Sequence, residues 1–204
     1  MKLSRRELES ASERHRRIRW NGAQGGDAVK LERARPGDIP AVVALMNLAF
    51  RGSGEGASWN TEAEHIDGDR TSEALLLTDL EAAPDAALLV GRSEDGARLE
   101  GSVWLEPKGD DVWYLGSLTV DPRLQNAGAG RRLLAASEAW AAEHGARTIR
   151  MTVVNVRDTL IAWYVRRGYR LTGEVEPFPY DDARFGTPRR SDLSFVVLEK
   201  ALTA

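Results

Sequence analysis

Residues 112–130 read VWYLGSLTVDPRLQNAGAG, and this stretch decides the fold. Val112 to Val120 is a β-rich run that ends at Asp121-Pro122, where proline supplies no ladder donor. Gln125-x-x-Gly128-x-Gly130 then opens into an amphipathic helix from about Gly130 to His144, stopped by Gly145, a natural C′ residue. Glycines at that spacing let the main chain pass close to a ligand and accept positive φ. The helix N-terminus contributes unpaired amides and a partial positive charge of about half a unit. Arg131 and Arg132 add full charges at the same end. The combination is an anion site suited to a pyrophosphate.

Two other glycine loops do not fit. A triphosphate P-loop needs G-x-x-x-x-G-K-[ST], and no Lys-Ser or Lys-Thr follows here. A dinucleotide turn needs G-x-G-x-x-G near the first strand of a parallel sheet, and neither order nor position matches. Two glycines alone leave open a helix start that binds nothing.

Upstream, Val29 to Arg35 reads as a strand and Pro36-Gly37-Asp38 opens a helix with Asp38 as its N-cap. Ile39, Val42, Val43, Met46 and Phe50 form the buried face of that helix. Arg51 to Trp59 is a Gly/Ser-rich loop, and a second helix begins near Thr71 or Ser72 with Leu75, Leu76 and Leu80 inward. Ala86 to Arg92 and Leu99 to Glu106 are strands joined by a turn at Asp95-Gly96. Lys108 to Asp111 turns into the central strand. Downstream come a strand at Ile149 to Val154, a helix at Asp158 to Arg167 and strands at Tyr169 to Val175 and Leu193 to Glu199. A long loop with Pro177, Pro179 and Pro188 joins the last two. The sum is a mixed α/β domain, a meander followed by a βαβ crossover.

The 204 residues suffice for one core, with a basic N-terminal helix and linker over 1–27 and the domain over 28–204. Ser4 to Glu7 has capping-box spacing, and Arg14, Arg16, Arg17 and Arg19 make the segment after it basic. A solvated helix is favoured there over a nucleic-acid arm. The net charge of −3 argues for no nucleic-acid partner, and no apolar run approaches the roughly 18 residues that span a bilayer. With no cysteine, and with His15, His65 and His144 far apart, no disulfide or metal site is expected. A cytoplasmic location is the plain expectation.

Gln125-x-x-Gly128-x-Gly130 after Val120-Asp121-Pro122, with Ala162-Trp163-Tyr164-x-x-x-Gly168-Tyr169 about 35 residues on, resembles the GNAT superfamily of N-acetyltransferases. The resemblance covers about Val29 to Leu202. It extends to a bacterial subgroup of unknown substrate through the Trp59 region and the loop Pro177-Phe178-Pro179-Tyr180-Asp181-Asp182. It implies one α/β domain around a mixed, mostly antiparallel sheet of about six or seven strands, splayed at its centre and flanked by helices.

It also implies roles. Acetyl-CoA would be the acyl donor and an amine the acceptor, and relatives of this kind often form homodimers. Amides around Gln125, Asn126, Ala127, Gly128, Ala129, Gly130 and Arg131 would cradle the pyrophosphate. Main-chain groups of Leu118, Thr119 and Val120 would bind the pantetheine arm. Tyr164 would protonate the leaving thiolate; read from periodicity alone, it is a core aromatic. Many relatives carry a glutamate on the central strand where Tyr114 stands, so the general base is missing from its usual place. Glu174, Glu176, Asp181 and Asp182 are the substitutes. Many also carry a cofactor-contacting asparagine where Arg157 stands, so Arg157 is expected to reach a phosphate or water, and Asn155 to supply the amide. The acceptor site is expected from Trp59, Thr61, Glu62, Arg70, Thr71 and Tyr114 on one side and Phe178, Tyr180 and Asp182 on the other. An aromatic–acid mixture suits a cationic amine.

Overall fold

A computed structural model describes residues 29–54, 57–93, 95–124 and 128–202. The N-terminal helix and linker expected over 1–27, and Gln125, Asn126 and Ala127, lie outside the described residues.

Strands β1 (Leu31–Arg33), β3 (Ala87–Arg92), β4 (Leu99–Pro107), β5 (Val112–Val120), β6 (Thr148–Val154), β7 (Arg170–Pro177) and β9 (Ser194–Ala201) form one sheet. Their order is β1-β3-β4-β5-β6-β9-β7, with β5 and β6 parallel and every other pair antiparallel. Helices α1 (Ile39–Arg51) and α2 (Glu73–Ala82) cover one face, and α3 (Ala129–Glu143) and α4 (Asp158–Val165) the other. This is the mixed α/β architecture expected.

The period of β3 shows why both faces are covered. Ala87 and Leu89 pack with Leu134 of α3 and Leu160 of α4, whereas Leu88 and Val90 pack with Val42 and Met46 of α1 and Leu76 of α2. An apolar run without alternation is the mark of a strand buried on both sides. Burying each such side chain contributes about 1.5–3 kcal/mol.

Two irregularities shape the site. In β5, Ser102 pairs with Thr119 and Trp104 with Gly116, so Val103 faces both Ser117 and Leu118. This is a β-bulge, with Ser117 at φ +48°, and a bulge bends its strand and re-aims the groups beside it. β5 has already left β6 before the bulge: the two pair only at Val112↔Thr148, Trp113↔Ile149 and Tyr114↔Arg150. Both strands continue, β5 on β4 as far as Val120 and β6 on β9 as far as Val154, and a fork opens between them.

Two local expectations need correction. Asp38 holds the N-cap position of α1 as expected, but its side chain does not cap the helix; its carboxylate accepts from the Arg35 amide at 2.8 Å and from Arg92 at 2.6 Å. The turn at Pro36–Asp38 folds that side chain back toward Arg35 and away from the helix amides. The stretch between the last two sheet strands, expected as a long loop, also carries a short strand of its own. β2 (Ile66–Asp67) pairs with β8 (Thr187–Pro188), tying the α1–α2 connection to the loop after β7. The second helix begins where expected, near Ser72, which caps α2 by accepting from the Leu75 amide at 3.2 Å.

Candidate active site

The fork is the floor of a cleft of about 540 Å³. Gly116 to Leu118 of β5 and Met151 to Val154 of β6 line it. Phe50 closes it from α1, Asn60, Glu62 and Arg70 from the α1–α2 connection, and Leu160 and Tyr164 from α4. Leu118 sits in the bulge. Thr119 and Val120 are paired on the β4 side only, which leaves their other main-chain edge facing the fork. The Thr119 hydroxyl donates to the Ser117 carbonyl at 2.8 Å and braces the bulge from within.

The glycine turn stands at the open end of β5. Gly128 is the N-cap of α3 at φ +73°, in the left-handed region that glycine adopts without strain, and no side chain caps the helix. A Cβ on Gly130 would touch the Trp163 ring at 3.5 Å, so the helix start packs directly against α4. No acid occupies the first turn of α3. Arg167 lies 3.5 Å over the Trp163 ring and donates to the Trp163 carbonyl at 2.6 Å. Its burial, then the nearby Arg166 and Arg131 charges, depress its pKa. Trp59, expected on the acceptor side, is turned toward Trp163 instead, with ring centroids 6.3 Å apart, and does not line the cleft.

Tyr164 is buried in the cleft wall, edge-on to Trp163 and Tyr169. Among the described residues its hydroxyl makes no hydrogen bond. Burial raises its pKa above the ordinary value of 10.0, and the Arg157 charge opposes that only in part. The phenol is therefore protonated at neutral pH.

Glu62 is not an open acid. Arg51 and Arg157 both bind its carboxylate, Arg157 at 2.6 Å, with all three side chains buried. Burial alone would raise the Glu62 pKa, but Arg157, Arg51 and Arg70 together hold it below its ordinary value. Arg157 also donates to the Asn60 carbonyl. Its guanidinium thus faces the cleft and Glu62, and the expectation that it reaches water is overturned by these two acceptors.

At the closed end of the fork the Tyr114 and Thr152 hydroxyls are 3.1 Å apart, bridging β5 and β6. Arg150 binds Glu199 at 2.8 Å and Glu174, with Glu176 at 3.8 Å. The Arg150 hydrogen bond holds Glu174 below its usual pKa, which makes it a poor base. Glu106 is held by Trp104 at 3.1 Å and by Lys108 at 2.6 Å. Glu176 lines the cleft and, among the described residues, makes no hydrogen bond. Asp182 is held by Arg184 and, like the exposed Asp181, lies outside the cleft lining.

Two expected acceptor residues are structural. Phe178 is packed in a small core with Ile66, Val154 and Leu193. The Tyr180 hydroxyl accepts from the Leu193 amide at 2.6 Å and folds the loop. Phe185 and Phe195 line the cleft in their place. The swap follows from register, because Phe195 pairs with Val154 across β6 and β9 and so faces the fork. Asn155 is likewise engaged, donating to the Asp192 carbonyl at 2.9 Å and accepting from the Ser194 amide at 3.1 Å. Phe50, Asn60, Thr152, Phe185 and Phe195 are cleft residues that sequence reasoning missed, and none carries a local motif.

Among the described residues no cluster of acids and histidines is arranged to hold a metal ion, and no helix is long and apolar enough to cross a membrane. No curated protein matches the sequence. The fold is similar to that of the ribosomal-protein-alanine N-acetyltransferase from Brucella melitensis, at TM-score 0.62 and 19% identity over 85% of this chain and 100% of that one. It is similar to the ribosomal-protein-S18-alanine N-acetyltransferase from Escherichia coli, at TM-score 0.60 and 15% identity over 86% of this chain and 94% of that one. The PaiA N-acetyltransferase from Thermoplasma acidophilum, in complex with coenzyme A, gives TM-score 0.58 and 15% identity over 86% of this chain and 100% of that one. Residues 50–169, more than half of the chain, match the acetyltransferase (GNAT) family in sequence. With its forked sheet and its glycine turn at the head of α3, the chain belongs to the GNAT family of acetyltransferases.

Proposed function

We propose that the protein is an acetyl-CoA-dependent N-acetyltransferase, acting on the primary amine of a small molecule or peptide by direct attack on the thioester. The observation that carries this reading is the fork: adjacent strands paired at only three positions, with Tyr164 in the wall of the cleft they open. Family membership establishes acetyl transfer in general. The donor, the amine and the residue roles are our reading.

The residues fit that donor. Main-chain groups of Leu118, Thr119 and Val120 along an unpaired strand edge suit an extended, amide-bearing arm. The uncapped amides of Gly128, Ala129, Gly130 and Arg131 suit a pyrophosphate. Bound acetyl-CoA supplies an acyl group activated as a thioester. The Leu118 amide, re-aimed by the bulge, polarises the acyl carbonyl. Tyr164 donates its proton to the departing thiolate, and transfer of this kind is typically worth about 10²–10⁴-fold. Tyr114 stands where relatives carry a carboxylate, so the amine proton passes through water to Glu176, the cleft carboxylate held least tightly.

A second reading, an acyl-CoA-binding module with little activity, is favoured by that same missing carboxylate. Acetyl-CoA should raise the melting temperature by mass action, and an amine panel should then release free thiol. No shift at millimolar acetyl-CoA defeats both readings. A shift with no amine-dependent thiol supports the module.

A further inference from the structure

We infer that the acceptor is an amino acid, and that Arg70 binds the carboxylate that accompanies its amine. This rests on the N-acetyltransferase reading and narrows its acceptor. Arg70 lines the cleft with its guanidinium 5.5 Å from the Phe50 ring centroid and 3.3 Å from the Ser117 hydroxyl. Among the described residues no carboxylate forms an ion pair with it. Its backbone is fixed: the Asn47 side chain accepts from the Arg70 amide at 2.7 Å and from the Thr71 amide at 3.1 Å. The side chain therefore leaves a rigid base and points at the bulge.

The charge around it is unbalanced. Arg51, Arg70 and Arg157 surround the single carboxylate of Glu62, leaving an excess of two positive charges, and Arg70 and Arg157 of these line the cleft. The Nε of Arg51 is buried there without an acceptor. A buried excess of one sign is costly unless an opposite charge neutralises it. An anion on the acceptor does so; a polyamine would add to the excess. Ser117 is the bulge residue next to Leu118, so an anion on Arg70 lies beside the proposed reaction centre. Amine and carboxylate must then be close together on the acceptor, as in an α-amino acid and unlike an ordinary peptide N-terminus.

Arg70 could instead be only a staple for the bulge, and Arg70→Gln separates the two roles because glutamine keeps a donor for Ser117 and loses the charge. Thiol release is measured at saturating acetyl-CoA with amino acids and with the matching decarboxylated amines. Amino acids should be preferred roughly 10–100-fold in kcat/KM, the size of a charged hydrogen bond, and Arg70→Gln should erase the preference mainly through KM. Equal turnover of the decarboxylated amines, or an unchanged preference in Arg70→Gln, overturns the proposal. Should that variant fail to fold, Arg70→Lys keeps the charge without the planar fork and should reduce the preference. A turnover-independent arm uses N-acetyl-amino acids with coenzyme A. Their thermal shift should appear in the wild type and vanish in Arg70→Gln. Should acetyl-CoA bind while no amine is acetylated, the N-acetyltransferase reading fails, and this arm still decides Arg70: no wild-type shift overturns the carboxylate site.

Discussion

The Arg157 guanidinium donates to Oε1 of Glu62 at 2.6 Å, joining the N-terminus of α4 to the α1–α2 connection across 95 residues of sequence. Helix α4 carries Tyr164, so this pair holds the proposed proton donor against the acceptor wall. Glu62→Gln leaves two buried guanidiniums facing a neutral amide. Removing one partner of a buried pair costs about 3–5 kcal/mol, or a fall in Tm of roughly 6–20 °C for a chain of this size. Thermal denaturation at neutral pH checks this.

The same carboxylate predicts acid sensitivity. Its folded pKa lies below the ordinary value of 4.5, so its contribution is complete above pH 4.5 and is lost as pH falls through the folded value. Wild-type stability should drop below pH 4.5, and the Glu62→Gln variant should drop less. Denaturant titrations at pH 7 and pH 4 measure the difference.

Tyr164→Phe should lower kcat about 10²-fold or more with the fold intact and acetyl-CoA affinity unchanged. Burial raises the phenol pKa above 10.0, so proton donation by Tyr164 should not fail at any pH below that. Turnover equal to wild type in a folded Tyr164→Phe would return the residue to a packing role.

Gly186 tests the ribbon between the two acceptor loops. It sits at φ +83°, and a Cβ there would collide with the Asp67 carbonyl. Gly186→Ala should therefore part β2 from β8 and raise the acceptor KM with little change in acetyl-CoA affinity. A KM within twofold of wild type would show that the ribbon does not shape the acceptor site.

The element order was legible because its signals are local: apolar period 2 against 3.6, glycines at turns, a serine before α2. The glycine turn at the head of α3 was legible for the same reason. What was hidden depends on register and distance. Ser117 at positive φ carries no sequence mark, yet it makes the bulge. Phe178 and Phe195 look alike as aromatics; only pairing with Val154 turns Phe195 into the cleft. Glu62 reads as an open acid until Arg51 and Arg157 are brought to it. Strands of two residues such as β2 and β8 are too short for any period to show.

Amine-dependent thiol release from acetyl-CoA, compared between wild type and Tyr164→Phe over an amine panel that includes amino acids, tests the central claim most directly. The account predicts thiol release well above the amine-free rate in the wild type and about 10²-fold slower in the variant. Acetyl-CoA binding with no amine-dependent release in the wild type would contradict it.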